Sequence, residues 1–184
     1  MGRLEKIKGV DLLINSVRDI SSNYSIHLTV VGEGSYKDVL ISRAESFGLM
    51  SRNNNVGPIV DFVGKKDSIE EYLNKAAIFV YPSICQEVFG ISIVEAMAYG
   101  LLCIANCIGG IPEIIKDKDN GFLTAESTEN GLTDCLRNVI ELFVHNQEDE
   151  ILRISNSAKS SAAKLSILQT CEKLSQTYSQ INKK

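Results

Sequence analysis

Between residues 26 and 125, five short apolar runs alternate with stretches of helical periodicity, and few folds accommodate that order. The runs are IHLTVVG at 26–32, IVDFVG at 59–64, AAIFVYP at 76–82, LLCIANC at 101–107 and GFLTA at 121–125. Several are almost continuously apolar, the pattern of strands covered on both faces in a parallel sheet. Ahead of the first run, Val10, Leu13, Ile14, Val17 and Ile20 keep the three-four spacing of one helical face. Ser68 and Glu71 read as a capping box that opens a helix before Ala76. The alternation predicts an α/β fold: a doubly wound, Rossmann-like parallel sheet.

After Ala125 the pattern turns wholly helical. Leu132, Leu136, Val139, Ile140 and Phe143 form one stripe, and Ile167, Cys171, Leu174, Tyr178 and Ile181 form another. The second stripe reads either as a core-facing seam or as a surface that packs on something outside this chain. At 184 residues the length favours one domain over 1–184, with a core in 1–125 and trailing helices in 126–184. The opening MGRLEKIKG reads as a turn and a helix where a doubly wound sheet normally begins with a strand. The first strand is therefore expected to be missing or reduced to a stub.

The totals exclude several classes. A net charge of -4 with interspersed signs does not suit a nucleic-acid binder, which shows a basic face. No apolar stretch approaches the roughly 20 residues that span a bilayer, and charges stand where a signal peptide needs an apolar core. The expected compartment is the cytoplasm. Cys85, Cys103, Cys107, Cys135 and Cys171 are odd in number and contain no Cys-x-x-Cys pair, which reads as buried free thiols. Cys103 and Cys107 have no histidine nearby, so no zinc site is expected. His27 and His145 fall outside every motif and are read as solvated or structural.

Two glycine motifs carry different weight. VVGEGSYKDVL sets Gly32 and Gly34 between a strand and a helix, but Lys37 stands where the third glycine of a dinucleotide fingerprint belongs. No phosphate-binding lysine loop is present, so ATP hydrolysis has no motif behind it. PSICQEVFGISIVEAMAYG at 82–100 is more informative. It reads as a strand end, a loop, and a helix from Gly90 or Ile91 to Ala98. Ligands of open α/β sheets collect at such strand ends, where helix amino termini attract anions. Glu87 falls in the loop and Glu95 in an apolar helix, where a carboxylate is costly unless hydrogen-bonded. Sugar hydroxyls are natural donors for both; solvated surface carboxylates are the plain alternative.

With IGGIPEII and NGFL following, and GRLEKIKG at the start, these residues resemble the carboxy-terminal donor-binding domain of retaining GT-B glycosyltransferases. The likeness covers residues 1 to 125 closely, and Leu102 and Cys103 replace the usual proline and valine after Gly100. It implies that Arg3 and Lys8 bind the donor diphosphate, and that Glu87, Phe89, Gly90 and Ile91 meet the donor sugar. It further implies that Glu87 acts at the catalytic centre as a positioning group, that Glu95 holds the ribose, and that Gly64, Lys65 and Lys66 lie beside the base. The implied substrate is a nucleotide-diphosphate sugar, with no cofactor and no metal. The leaving diphosphate, steadied by Arg3, Lys8 and the helix terminus at Gly90, is expected to help deprotonate the acceptor hydroxyl.

The same resemblance implies an amino-terminal acceptor domain outside this chain, through which a glycan or lipid-linked acceptor is reached. It implies transfer of a hexose or N-acetylhexosamine in bacterial cell-surface polysaccharide synthesis, with contact at the inner membrane face and self-association of the isolated domain as further expectations. Alone, the domain should transfer little or nothing. A non-catalytic nucleotide-binding module, or an epimerase or phosphorylase of the same fold, are the rival readings.

Overall fold

The computed structural model describes residues 1–50 and 59–165, with a few helical positions beyond. A 3-10 turn at Lys6–Lys8 leads into α1 (Val10–Ser21), β1 (Leu28–Val31), α2 (Lys37–Ser46), β2 (Val60–Gly64), α3 (Glu70–Lys75) and β3 (Ile78–Tyr81). There follow α4 (Ile91–Ala98), β4 (Leu102–Asn106), α5 (Ile111–Ile114), β5 (Phe122–Thr124), α6 (Glu129–Val144) and α7 (Glu148–Lys164). Each apolar run holds a strand, and every strand pair is parallel, as the crossover helices require. The strands form two pieces, β1 with β2, and β3-β4-β5 in that order.

Helices cover both faces because β4 is apolar on both. Leu102 and Ile104 enter one cluster with residues of α1, α2 and α6, whereas Cys103 and Ala105 enter the other with residues of α4, α5 and α7. That split follows from the two-residue period of a strand. Burying each large aliphatic side chain contributes about 1.5–3 kcal/mol before entropy is counted. On α1, Leu13, Ile14, Val17 and Ile20 are buried, as the spacing predicts. The trailing helices belong to the core as well: Leu132, Leu136, Val139 and Ile140 lie in the first cluster, and Ala158 and Ala162 in the second.

Three expectations are corrected. Ser68 accepts from the Glu70 N–H at 3.4 Å, but Glu71 turns away to Lys75 at 2.5 Å, so the reciprocal half of the capping box does not form. A charged partner one turn on outcompetes a neutral backbone N–H. Of the thiols, Cys103 is buried and Cys85 and Cys135 are partly so, whereas Cys171 is exposed, as is Cys107, which lies just past the end of β4 at Asn106. Cys171 and Tyr178 of the second stripe are exposed, and its Ile167, Leu174 and Ile181 lie outside the described residues. Both histidines are exposed, with His27 near Asp61 at 3.8 Å.

At the chain start, where a first strand was expected to be missing or reduced to a stub, residues 1–5 form no strand but make two backbone bonds. The Gly2 N–H donates to the Val31 carbonyl at 3.0 Å and the Leu4 N–H to that of Glu33 at 2.8 Å. Side chains at Gly32 and Gly34 would collide with the backbone of Gly2 and Leu4. This close approach gives the Gly-x-Gly turn its structural role.

Candidate active site

The site begins with two loops tied together. The turn before α1 ends at Gly9 with φ 65, a left-handed conformation in which a Cβ would strike the Pro82 carbonyl. The Ile84 N–H donates to the Ile7 carbonyl at 3.0 Å, and the Ser83 hydroxyl reaches the same oxygen at 3.4 Å. These contacts bring Lys8 Nζ to Glu87 Oε1 at 2.6 Å, with the lysine side chain 22% and the carboxylate 15% exposed.

Glu87 is held from every side. Ser83 donates to the same oxygen at 2.7 Å and Cys85 at 3.3 Å, and the Tyr81 phenol also hydrogen-bonds the carboxylate. Its own carbonyl accepts from the Gly110 N–H at 2.7 Å. The paired glycines of IGG leave room for the backbone of Glu87 and Val88, which a side chain at either position would strike. Underneath, the buried Asn106 amide donates to the Pro82 and Ser83 carbonyls, both at 3.0 Å, while its oxygen accepts from Thr124 at 2.9 Å.

Asn106→Leu removes all three bonds and leaves two carbonyls and a hydroxyl unpaired, so a loss of about 2–3 kcal/mol is expected by urea unfolding. A loss within 0.5 kcal/mol, the ordinary range for an inert surface change, would mean water takes over these partners.

Burial alone would push the Glu87 carboxyl up, but hydrogen bonds from Lys8, Ser83, Cys85 and Tyr81 outweigh it and hold the group down at about 2. Burial and the adjacent carboxylate push the Tyr81 phenol above its ordinary value. Glu87 therefore stays ionised throughout the neutral range. The stabilisation is complete above the ordinary value of 4.5 and is lost as pH falls toward 2. Glu87→Gln should differ from the native chain most at neutral pH, and the gap should shrink by roughly 2 kcal/mol between about pH 7 and pH 3. Paired urea titrations measure it; a gap independent of pH would remove the carboxylate as its source.

A cavity of about 1160 Å³ opens beside this cluster. Arg3, Lys8, Glu87, Phe89, Gly90, Ile91 and Glu95 all line it, so the structure gathers the expected diphosphate, sugar and ribose residues round one space. Arg3 is the loosest, 76% exposed and paired with Glu5 at 3.0 Å. Phe89 and Ile91 are exposed, and Gly90 starts α4 in the left-handed conformation at φ 60. Glu95 is exposed on α4, near the Met1 amino group. Gly64, at the end of β2, and the exposed Lys65 and Lys66 stand outside the cavity wall.

The glycosyl transferases group 1 family matches this chain over residues 1–161. The chain belongs to that family. Among curated relatives, an uncharacterized glycosyltransferase of Methanocaldococcus jannaschii is 33% identical over 143 residues, covering 77% of this chain and 36% of that protein. The N-acetyl-alpha-D-glucosaminyl L-malate synthase of Bacillus anthracis is 28% identical over 134 residues, covering 73% and 33%. This member of the family thus spans about a third of the length of the relatives it matches.

Among solved structures, Anabaena HepE in complex with UDP superposes with a TM-score of 0.82 at 23% identity, covering 97% of this chain and 48% of that one. The carboxy-terminal domain of the group 1 family protein LpcC from Francisella tularensis gives 0.73 at 24%, covering 89% and 82%. The fold is that of the carboxy-terminal domain of a group 1 family glycosyl transferase.

Sequence reasoning missed Tyr81, Ser83, Cys85, Asn106 and Thr124. Asn106 left one signal, a lone polar side chain closing an otherwise apolar strand.

Proposed function

We propose that this chain is the donor half-site of a retaining glycosyltransferase, binding a sugar nucleotide whose hexose or N-acetylhexosamine passes to a glycan or lipid-linked acceptor. The observation that carries this reading is the convergence of Lys8, Glu87 and the opening of α4 on one cavity at the carboxyl ends of parallel strands. An ammonium and a helix amino terminus suit a diphosphate, and a fixed carboxylate suits sugar hydroxyls.

Lys8, already held by Glu87, needs little reordering to receive the charge that grows on the leaving diphosphate. Glu95 supplies the acceptor for ribose hydroxyls. Relatives and neighbours support the substrate class: one relative is an N-acetyl-alpha-D-glucosaminyl L-malate synthase, others are glycogen synthases, and HepE was solved with UDP-glucose. The acceptor is reached through an amino-terminal domain, and no cofactor or metal takes part. Synthesis of bacterial cell-surface polysaccharide at the inner membrane face is the setting that fits this chemistry.

Calorimetric titration with UDP, GDP and ADP, and then with the matching sugar nucleotides in the absence of metal, tests the half-site. Selective uptake of one nucleotide, lost in Glu95→Ala, is expected. Failure to bind any of them, by this domain and by the intact enzyme alike, overturns the reading.

A further inference from the structure

A cavity that receives a diphosphate needs positive charge, yet the charge on this wall is already balanced. Among the described residues, the wall holds three lysine and arginine side chains, and each is paired with a carboxylate: Arg3 with Glu5 at 3.0 Å, Lys8 with Glu87 at 2.6 Å and Lys75 with Glu71 at 2.5 Å. Asp61 and Glu95 add further carboxylates to the same wall. No cation there is in surplus. The pairs of Arg3 and Lys75 are exposed and screened by water and salt, so they matter little. Lys8 and Glu87 are largely buried, and their charges act with far less screening.

The donors to Glu87 are also unevenly placed. Lys8, Ser83 and Cys85 all reach Oε1, at 2.6, 2.7 and 3.3 Å. A carboxylate oxygen accepts about two hydrogen bonds, so Oε1 is full. Even with the Tyr81 phenol on Oε2, that oxygen keeps room for a further donor.

We propose that Glu87 makes the diphosphate and sugar subsites interdependent: its carboxylate opposes a nucleotide diphosphate that arrives alone, and sugar hydroxyls on Oε2 lift that opposition. The inference rests on the sugar-nucleotide reading and extends it, because it gives Glu87 a role toward a group that it does not touch.

A free diphosphate beside Lys8 meets an ammonium whose charge Glu87 already balances, and the ionised carboxylate repels it. As Lys8 shares its protons with phosphate oxygens, Glu87 loses part of its charged donor while still largely buried, which is the costly half of opening such a pair. Ser83, Cys85 and Tyr81 remain and hold part of that charge. Hydroxyls of an attached sugar supply the rest, and they arrive together with the diphosphate that makes them necessary. The coupling is reciprocal: what the sugar gains from the diphosphate, the diphosphate gains from the sugar. After the sugar has left, the nucleotide diphosphate stands alone beside Glu87, and the same carboxylate favours its release.

Calorimetric titration of the intact enzyme compares UDP, GDP and ADP with UDP-glucose, UDP-N-acetylglucosamine, GDP-mannose and ADP-glucose. Glu87→Gln keeps an acceptor oxygen and removes the charge. It should bind the free nucleotide about 10-fold tighter than the native enzyme does, a gain that no loosened fold produces, and bind the sugar nucleotide no tighter. Glu5→Gln removes charge from an exposed pair and should change the free nucleotide by less than about 2-fold. Ser83→Ala removes a donor and keeps the charge, so it should weaken the free nucleotide about 5-fold and the sugar nucleotide less. Unchanged or weaker binding of the free nucleotide by Glu87→Gln, or equal tightening by Glu5→Gln, overturns this inference and leaves the sugar-nucleotide reading standing. Should Glu87→Gln not fold, Ser83→Ala decides, and equal losses of both ligands overturn the inference. Binding of none of these compounds by the native enzyme overturns the sugar-nucleotide reading, and the inference falls with it.

Discussion

Gly9→Val is expected to cost about 4 kcal/mol, enough to unfold a marginal domain, because two penalties coincide at one position. A β-branched residue at φ 65 carries backbone strain of about 1–3 kcal/mol, and its Cβ must also push the Pro82 carbonyl away. That carbonyl is one of the two that Asn106 holds, so the displacement spreads into a buried hydrogen-bond network. Urea unfolding measures the loss. A cost below about 1 kcal/mol would show that the turn and the loop part freely, and the fixed placement of Lys8 against Glu87 would go with it.

The second large effect is functional. In the intact enzyme, Lys8→Ala should lower transfer by about 100-fold, the usual consequence of deleting one preorganised donor to a developing charge. It should weaken the free nucleotide and the sugar nucleotide together, since a charged hydrogen bond to the diphosphate contributes about 1.5–3 kcal/mol. Arg3→Ala should cost less than about 10-fold, because a side chain so exposed must first be ordered before it helps. Glu87→Ala should weaken the sugar nucleotide more than the free nucleotide. Steady-state kinetics and nucleotide titration separate these cases; equal losses for Lys8→Ala and Arg3→Ala would contradict preorganisation as the difference between them.

Much of this was legible because local pattern and tertiary environment agree. The five apolar runs each hold a strand, with β4 buried on both faces, and the start of α4 at Ile91 followed from Gly90. Arg3, Lys8, Glu87 and Glu95 were found through residue spacing and family resemblance, and the fold brings them to one cavity. What escaped depends on contacts between distant segments. Nothing near Ser83 in sequence says that its hydroxyl, four residues from Glu87, will also reach the carbonyl of Ile7, 76 residues away. The glycines at 32 and 34 resembled a truncated cofactor turn, whereas their partner is backbone some 30 residues away. Glu71 was assigned to a cap because sequence spacing does not rank that cap against Lys75.

The fully buried strand β4 sends alternate side chains into two separate cores, and α7 does the same on a longer period, with Ile154 in one core and Ala158 in the other. Loosening of one core is therefore expected to weaken the other. Damage on one face of the molecule is therefore felt on the opposite face, and a truncation after Val144 opens both together. The amides of β4 should be the last to exchange in native-state hydrogen exchange, and they lie directly beneath the loop that carries Glu87. The part of the chain that resists opening longest is thus the platform on which the carboxylate stands.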